Sequence, residues 1–341
     1  MSDVLSIEGL SVEYRTAKGI SHAVTAVDLN LPEGSITGLV GESGCGKTTL
    51  SRALIRVLPE NGRIAAGHIR YRQHDLATAS EEEMRALRWR EIALVPQSAM
   101  NSLDPVYRVG DQFVELLQLR AGMSRAQARS RTEELFTMVG LDPARMRSYP
   151  HEYSGGMKQR AVIAMALALH PQVVIADEPV TALDVLVQHQ VLRELRRLQQ
   201  EMRLAMIFVT HDMAVVAELC DRVAVMYAGQ LIETGDVRQV LKRPFHPYTM
   251  GLTNSFPSIL HPEKQLVSIE GYPPDLVEPP PGCRFAARCP FAEARCSREV
   301  PALQEVEPGH GAACLRADTA EILRERAKEA VTWQRTPTIS S

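Results

Sequence analysis

The chain has 341 residues, which is enough for about two domains of ordinary size. Its net charge of -3, with 45% hydrophobic and 23% charged residues, is typical of a globular protein and gives no sign of nucleic-acid binding. The longest apolar runs fall short of the roughly 20 residues that a membrane-spanning helix needs, and the N-terminus has no basic region followed by an apolar core. The composition therefore predicts a cytosolic protein whose partners must be inferred from local motifs.

The first strong motif lies at residues 36–58, where an apolar strand, a glycine-rich turn and a periodic apolar run follow one another. The turn fits the phosphate-binding pattern G-x-x-x-x-G-K-[ST]. Its backbone amides can surround phosphate oxygens, while Lys47 supplies positive charge to the β and γ phosphates and the Thr48 hydroxyl can bind Mg²⁺. The predicted nucleotide-binding residues of this loop are Gly41, Ser43, Gly44, Cys45, Gly46, Lys47, Thr48 and Thr49.

The second motif is an acidic pair that follows the apolar run at residues 173–176. Such a run is typical of a buried parallel strand, and α/β sheets bind ligands at the carboxyl ends of their strands. Asp177 is the candidate to hold Mg²⁺, and Glu178 is the candidate base that polarises the attacking water. Since a solvated acidic pair can also cap a helix, this interpretation depends on the phosphate loop upstream.

A third motif, SGGMKQR at residues 154–160, resembles the signature sequence of the ATP-binding cassette (ABC) family. Gln97, Asp184 and His211 resemble, in the family's order, its Q-loop, D-loop and switch histidine. The resemblance implies an α/β P-loop NTPase fold with a RecA-like core, an antiparallel β subdomain and an inserted helical subdomain. It also implies an ATPase that uses Mg²⁺.

The signature motif predicts a second phosphate-binding surface. Ser154 is a good helix N-cap, and Gly155 and Gly156 allow a helix N-terminus to approach a phosphate closely. In the family's arrangement two cassettes meet head to tail, so that these residues and Asp184 act on the ATP held by the other cassette. The resemblance therefore implies a second ABC ATPase subunit as a partner.

Roles for three further residues are implied by the resemblance. Gln97 would bind Mg²⁺ and sense the nucleotide, and His211 would contact the γ-phosphate and orient water together with Glu178. Tyr14 matches the aromatic residue on which family members stack adenine. Taken alone, Gln97 resembles an ordinary polar loop residue and His211 a surface or satisfied histidine, and the order of the family's motifs along the chain favours the functional roles. For Tyr14, a core tyrosine on a strand is the alternative.

The C-terminal third indicates a particular branch of the family. Residues 101–106 (NSLDPV), residues 243–252 (RPFHPYTMGL) and the cysteine-rich tail resemble the ATPase subunits of dipeptide, oligopeptide and nickel importers. This resemblance implies a peripheral protein at the cytoplasmic face of the membrane. Its partners would be two transmembrane permease subunits and, indirectly, an extracytoplasmic solute-binding protein. A soluble ABC-type ATPase that serves an accessory enzyme or remodelling complex is the alternative.

These motifs divide the chain into four predicted parts. Helical patterns at residues 109–119 and 125–141 lie within the expected helical subdomain, and consecutive prolines favour an extended connector. The predicted parts are an ABC nucleotide-binding domain at 1–240 with its helical subdomain at about 97–165, a proline-rich connector at 241–282, a C-terminal cysteine module at 283–325 and a polar tail at 326–341.

The cysteines of the tail predict a metal centre. Cys283, Cys289, Cys296 and Cys314 offer soft ligands in a loop-rich segment with few apolar residues, so a bound centre would supply stability. The gaps lack the C-x₂₋₄-C spacing of zinc knuckles, and the Cys-Pro step at Cys289 is common beside iron–sulfur clusters. The named importers carry a [4Fe–4S] cluster in this tail, so the prediction is that cluster, with Zn²⁺ or free buried cysteines as alternatives.

Overall fold

The computed structural model describes residues 3–97, 102–181, 183–255 and 267–334. Parts of the predicted helical subdomain, connector and polar tail, namely residues 98–101, 256–266 and 335–341, lie outside the described residues. Contacts divide the chain into two compact units. The first unit is Met1–Leu5, Asn30–Ile36 and Tyr71–Val209, and the second is Ser6–Leu29, Thr37–Arg70 and Thr210–Ser341.

Strands are distributed along the whole chain. They are β1 (Asp3–Thr16), β2 (Gly19–Pro32), β3 (Ile36–Val40), β4 (Gly62–Tyr71), β5 (His74–Asp75), β6 (Ile92–Val95), β7 (Val173–Asp177), β8 (Ala205–Thr210), β9 (Arg222–Tyr227), β10 (Gln230–Asp236), β11 (Gln304–Glu307) and β12 (His310–Ala312).

Helices connect the strands and make up most of the segment between β6 and β7. They are α1 (Lys47–Leu54), α2 (Glu81–Leu87), α3 (Val109–Ala121), α4 (Arg125–Met138), α5 (Gly155–Ala166), α6 (Val185–Met202), α7 (Met213–Leu219), α8 (Val237–Lys242), α9 (Pro247–Asn254), α10 (Ala320–Ala327) and α11 (Ala330–Trp333). Among the described residues, no helix combines the length and the apolar character needed to cross a membrane.

The first unit contains a parallel sheet in which β7 lies between β6 and β8. Every residue of β7 and of β8 is buried, as expected for parallel strands that are covered on both faces. Asp177 at the end of β7 is paired in register with Val209 of β8. Parallel strands end at the same edge of a sheet, so the acidic pair stands at the edge where β8 also ends.

The helical part of this unit confirms the two predicted helical patterns as α3 and α4. Phe113 of α3 packs edge-on against Phe136 of α4, with ring centroids 5.3 Å apart. Helix α4 begins with a capping box in which Ser124 and Gln127 satisfy each other's backbone amides. Helix α3 ends at Gly122, whose φ of 67° is the left-handed conformation that terminates many helices.

The second unit contains a mixed sheet that reaches into the C-terminal part of the chain. β3 and β9 are parallel, and β10 returns antiparallel to β9. β12 then pairs antiparallel with β10, and β11 pairs with β12. The residues predicted as a cysteine module therefore extend a sheet that the nucleotide-binding domain begins. The predicted connector also differs from expectation, because its first part contains α9.

A buried polar contact fixes this extension. Glu233 of β10 and His310 of β12 are both fully buried, and the imidazole Nε2 lies 2.8 Å from the carboxylate. The same carboxylate accepts hydrogen bonds from the backbone amides of Phe245 at 2.6 Å and His246 at 3.0 Å. One side chain thus joins β10, the segment before α9 and β12, and a buried carboxylate with several donors is costly to disturb.

We expect Glu233→Gln to destabilise the protein by about 2–4 kcal/mol, because an amide nitrogen would face donors that need an acceptor. The free energy of unfolding from urea titration checks this. Glu299→Gln, at an exposed position of the same C-terminal part, should change it by less than about 0.5 kcal/mol. Equal stability of the two variants would show that the buried contact contributes nothing.

Candidate functional site

The predicted phosphate loop connects β3 to α1 and is held in close contact with neighbouring backbone. A Cβ atom at Gly41 would lie 2.1 Å from the carbonyl oxygen of Met226 at the end of β9. At Gly46, whose φ is 107°, a Cβ atom would lie 2.4 Å from the carbonyl oxygen of Ala23. Both distances are impossible for a real side chain, so only glycine permits this loop path.

Lys47 lies inside this loop and is only 5% exposed. Its ammonium donates hydrogen bonds to the carbonyl oxygens of Gly41 at 2.7 Å and Glu42 at 2.9 Å. The buried thiol of Cys45 lies 3.8 Å from the same ammonium, and burial raises the pKa of that thiol. Cys45 therefore remains a neutral filler of the loop. Lys47 is placed where a phosphate oxygen could replace the loop carbonyls as its acceptor.

Strand β1 places Tyr14 beside the first turn of α1, which follows the phosphate loop. Its hydroxyl donates a hydrogen bond to Thr49 Oγ1 at 3.2 Å, in the first turn of α1. A Cβ atom at Gly62 would lie 2.6 Å from the tyrosine ring, so this glycine leaves room for the ring beside the start of β4. The structure thus brings together two residues that the sequence predicts as nucleotide ligands.

The acidic pair of the first unit is tightly positioned. Asp177 is buried at 3% exposure, whereas Glu178 is half-buried and has a left-handed backbone with a φ of 48°. The Glu178 carboxylate accepts hydrogen bonds from Gln97 Nε2 at 3.2 Å and from Thr181 Oγ1 at 3.1 Å. Strained backbone at a non-glycine residue is found preferentially at functional sites. The predicted base and the predicted Q-loop residue are therefore in direct contact.

The signature residues and Asp184 also lie together. Ser154 caps α5 by accepting a hydrogen bond from the Met157 amide at 3.3 Å, and Asp184 caps α6 through the Val187 amide at 3.0 Å. A Cβ atom at Gly156 would lie 2.5 Å from a methyl group of Val187. The small residue lets the first turns of α5 and α6 approach each other, so both capping residues are found on one side of the first unit.

Predicted ATP-site residues occur in each of the two units. His211 directly follows β8 and is exposed, in the second unit. The second unit holds Tyr14, the loop residues from Gly41 to Thr49 and His211, and the first holds Gln97, Ser154, Gly155, Gly156, Asp177, Glu178 and Asp184.

The four tail cysteines are brought together in the second unit. Cys283, Cys289, Cys296 and Cys314 line one cavity, although the first and the last are 31 positions apart in the sequence. Phe285 contributes to the same apolar lining. The backbone amides of residues 293 and 316 donate hydrogen bonds to the Cys296 and Cys314 sulfurs at 3.5 and 3.4 Å. Burial, with a smaller effect of the neighbouring thiols, raises the pKa of Cys314 to about 12.

A single-ion metal site is not formed by this arrangement. Among the residues that the structure describes, no three His, Cys, Asp or Glu side chains are gathered closely enough to hold one metal ion. For the sequence-predicted [4Fe–4S] cluster and its zinc alternative, the structure thus shows a shared cysteine cavity but, among the described residues, no group of side chains arranged to hold a metal ion.

Sequence reasoning missed one set of contacts at the phosphate loop. The carboxylate of Glu42, within the loop, forms an ion pair with Arg288 at 2.8 Å, and the Glu42 amide donates a hydrogen bond to the Tyr248 hydroxyl at 2.9 Å. Arg288 and Tyr248 lie 246 and 206 positions from Glu42 in the sequence. No local sequence pattern predicts these contacts, because the partners become neighbours only when the chain folds.

Comparison with protein families gives two matches. Residues 24–181 match the family described as ABC transporter, and residues 232–296 match the family described as oligopeptide/dipeptide transporter, C-terminal region. The chain is 43% identical to a probable peptide ABC transporter ATP-binding protein of Sinorhizobium fredii, over 92% of this chain and 95% of that one. It is 41% identical to a dipeptide transport ATP-binding protein of Bacillus subtilis, over 97% and 98% of the two chains.

Solved structures agree with the fold. The dimeric bacterial ABC transporter cassette MJ0796 superposes with a TM-score of 0.62 at 25% identity, over 69% of this chain and 99% of that one. The protein cbiO1 of Clostridium perfringens, part of the ABC transporter complex cbiONQ, gives 0.60 at 26% identity, over 71% and 92%. These matches confirm the resemblance found in the sequence. The chain is an ATPase that belongs to the ABC transporter family, among the ATP-binding proteins of peptide transporters.

Proposed function

We propose that this chain is the ATP-hydrolysing subunit that energises peptide import through a membrane ABC transporter. The observation that carries the proposal is the match of residues 232–296 to the C-terminal region of oligopeptide and dipeptide transporters, beyond the part common to ABC cassettes. Relatives that share more than 90% of this chain's length are named for peptide or dipeptide transport. The soluble alternative has no comparable support.

In this proposal Glu178 takes a proton from the water that attacks the γ-phosphate of ATP. Hydrogen bonds from Gln97 and Thr181 to one carboxylate oxygen orient the side chain, and the strained backbone fixes its direction. Asp177, Thr48 and Gln97 would hold Mg²⁺, which neutralises phosphate charge when bound.

The remaining ATP-site residues position the substrate. Lys47 exchanges loop carbonyls for phosphate oxygens, and His211 contacts the γ-phosphate. Tyr14, fixed by its bond to Thr49, offers its ring to the adenine.

A second cassette completes the site in this proposal. Two large apolar side chains directly after Asp184, Val185 and Leu186, are 81% and 78% exposed. Exposed apolar neighbours mark interaction surfaces, and these lie beside the signature residues at the starts of α5 and α6. MJ0796 forms a dimer. The partner cassette would cover Val185 and Leu186, and the Ser154 end of α5 would contact its ATP.

The transport path is supplied by other subunits. Val106 and Tyr107, a few residues after Gln97, are 71% and 59% exposed and offer an apolar contact for two transmembrane permease subunits. The chain would then sit peripherally at the cytoplasmic face of the membrane. An extracytoplasmic solute-binding protein would deliver the peptide and act on this chain only through the permeases.

Replacing the proposed base tests the chemistry. We expect Glu178→Gln to retain ATP binding and to lower the hydrolysis rate by about 100-fold or more, since the amide cannot accept the proton. Phosphate release by the assembled transporter, with the change in every matching cassette, measures this. Glu152→Gln, at an exposed position before the signature, is the matched control and should keep the rate. Near-normal hydrolysis by Glu178→Gln would remove this residue from the mechanism.

We further propose that the tail binds a [4Fe–4S] cluster with a structural role. The cavity lined by all four cysteines supports this, because four thiols that share one apolar lining are the ligand set that such a cluster needs. Backbone N–H groups point at the sulfurs, an arrangement that stabilises ligated thiolates. Burial raises the thiol pKa values and so makes a buried, unligated thiolate unfavourable. A cationic centre bound to the sulfurs would offset the free-energy cost of the negative charge.

Metal analysis tests the cluster. Anaerobically purified protein should contain about four iron and four sulfide per chain, and Cys289→Ser should lower the iron content and the thermal stability. Cys220→Ser, at a buried cysteine outside the cavity, should retain the iron. Stoichiometric zinc without sulfide would replace the cluster by the zinc alternative, and metal-free protein with unchanged stability would reject both.

A further inference from the structure

Glu42 is a phosphate-loop residue whose carboxylate has no part in the ATP chemistry proposed above. A negative charge in a loop that binds polyphosphate is unfavourable unless a positive group neutralises it. Arg288 provides that group: its two terminal nitrogens contact the two carboxylate oxygens at 2.8 and 3.1 Å. Such a two-point contact fixes both the charge and the direction of the carboxylate.

Arg288 is itself rigidly held. Its side chain is 7% exposed, and it donates further hydrogen bonds to the Tyr227 hydroxyl at 3.2 Å and to the carbonyl oxygens of Ile269 and Glu270 at 3.0 and 2.9 Å. A surface ion pair contributes little because both side chains are mobile, but a guanidinium with this many fixed acceptors loses little further freedom. The contact therefore acts as a fixed support for the loop.

The backbone of Glu42 is held as well. Its amide donates to the hydroxyl of fully buried Tyr248, and its carbonyl oxygen accepts from Lys47. The Tyr248 ring packs against Tyr227 and Phe285, with centroids 4.8 and 5.4 Å away. Separate partners thus fix the side chain, the backbone amide and the backbone carbonyl of Glu42.

The position of Arg288 depends on the cysteine segment. It ends the short 3₁₀ turn Ala286–Arg288, which lies between Cys283 and Cys289. The turn is closed by backbone hydrogen bonds from Ala286 to Cys283 at 3.0 Å and from Cys289 to Ala286 at 3.3 Å. The backbone conformation around Cys283 and Cys289 therefore also determines the position of the Arg288 guanidinium.

We propose that Arg288 is a positioning residue for ATP binding: it holds the phosphate loop through Glu42, cancels the carboxylate charge, and makes ATP affinity depend on the fold of the cysteine segment. The proposal assigns the C-terminal part a role in the nucleotide site itself. It requires no contact between Arg288 and ATP.

The dissociation constant of a non-hydrolysable ATP analogue, measured on the full chain, tests the charge argument. Arg288→Met should weaken binding by about 10-fold, since it leaves the Glu42 carboxylate uncompensated in the loop. Glu42→Gln should weaken it less, and Arg288→Met combined with Glu42→Gln should recover most of the loss. A merely structural arginine would leave the double variant at least as weak as Arg288→Met, and that result would overturn the proposal.

Two further variants keep this test decisive. Arg295→Met removes an arginine of the same segment that pairs with Glu293 instead of the loop, and it should leave the affinity unchanged. Arg288→Lys retains the positive charge without the two-point contact and should give an intermediate loss even if Arg288→Met folds poorly. The proposal would be contradicted if Arg288→Lys bound the ATP analogue as tightly as the natural chain does and if Arg288→Met, correctly folded, also kept that affinity.

The dependence on the cysteine segment has its own test, which rests on the proposed cluster. Cys289→Ser should lower ATP affinity in the natural chain but cause little further loss when Arg288→Met and Glu42→Gln are already present. Iron is measured in the same samples. Absence of iron from the natural chain would reject the cluster, whereas the charge argument would still be tested by the Arg288 variants. Unchanged ATP affinity in an iron-depleted Cys289→Ser protein would reject the dependence on the segment.

Discussion

The close approach of the phosphate loop to neighbouring backbone is the constraint on which the second unit depends. Gly41 and Gly46 bring the loop so near to the carbonyl oxygens of Met226 and Ala23 that no side chain fits at either position. This approach sets the path of the loop amides and buries Lys47 among loop carbonyls. Strand β9 and the first half of β2 thus define the shape of the loop before any nucleotide arrives, which is the preorganisation that phosphate binding needs.

The C-terminal part supports this site more directly than an appended module would. β12 extends the sheet at β10, Glu233 ties the extension to the segment before α9, and Tyr248 and Arg288 contact Glu42. The match to the oligopeptide/dipeptide C-terminal region begins at residue 232, within β10. The C-terminal region that distinguishes this branch of the family therefore belongs to the same sheet as β3, the strand that leads to the ATP loop.

Local motifs allowed much of the fold and site to be predicted. The phosphate loop, the buried strand before Asp177 and the helices α3 and α4 follow from spacing and periodicity over a few residues. The added strands were not predicted, because β11 and β12 are short and gain their partners only from β10. The Arg288–Glu42 pair joins residues 246 positions apart, and nothing local selects one arginine of the tail over another.

Reconstitution with a peptide-binding partner tests the account most directly. The chain, assembled with its permeases and partner cassette in lipid vesicles, should hydrolyse ATP slowly, accelerate when peptide-loaded binding protein is added, and accumulate peptide inside vesicles only with ATP. An ATPase rate in the isolated chain equal to that of the assembly, unchanged by peptide or binding protein and without peptide uptake, would contradict the proposal that this ATPase energises peptide import.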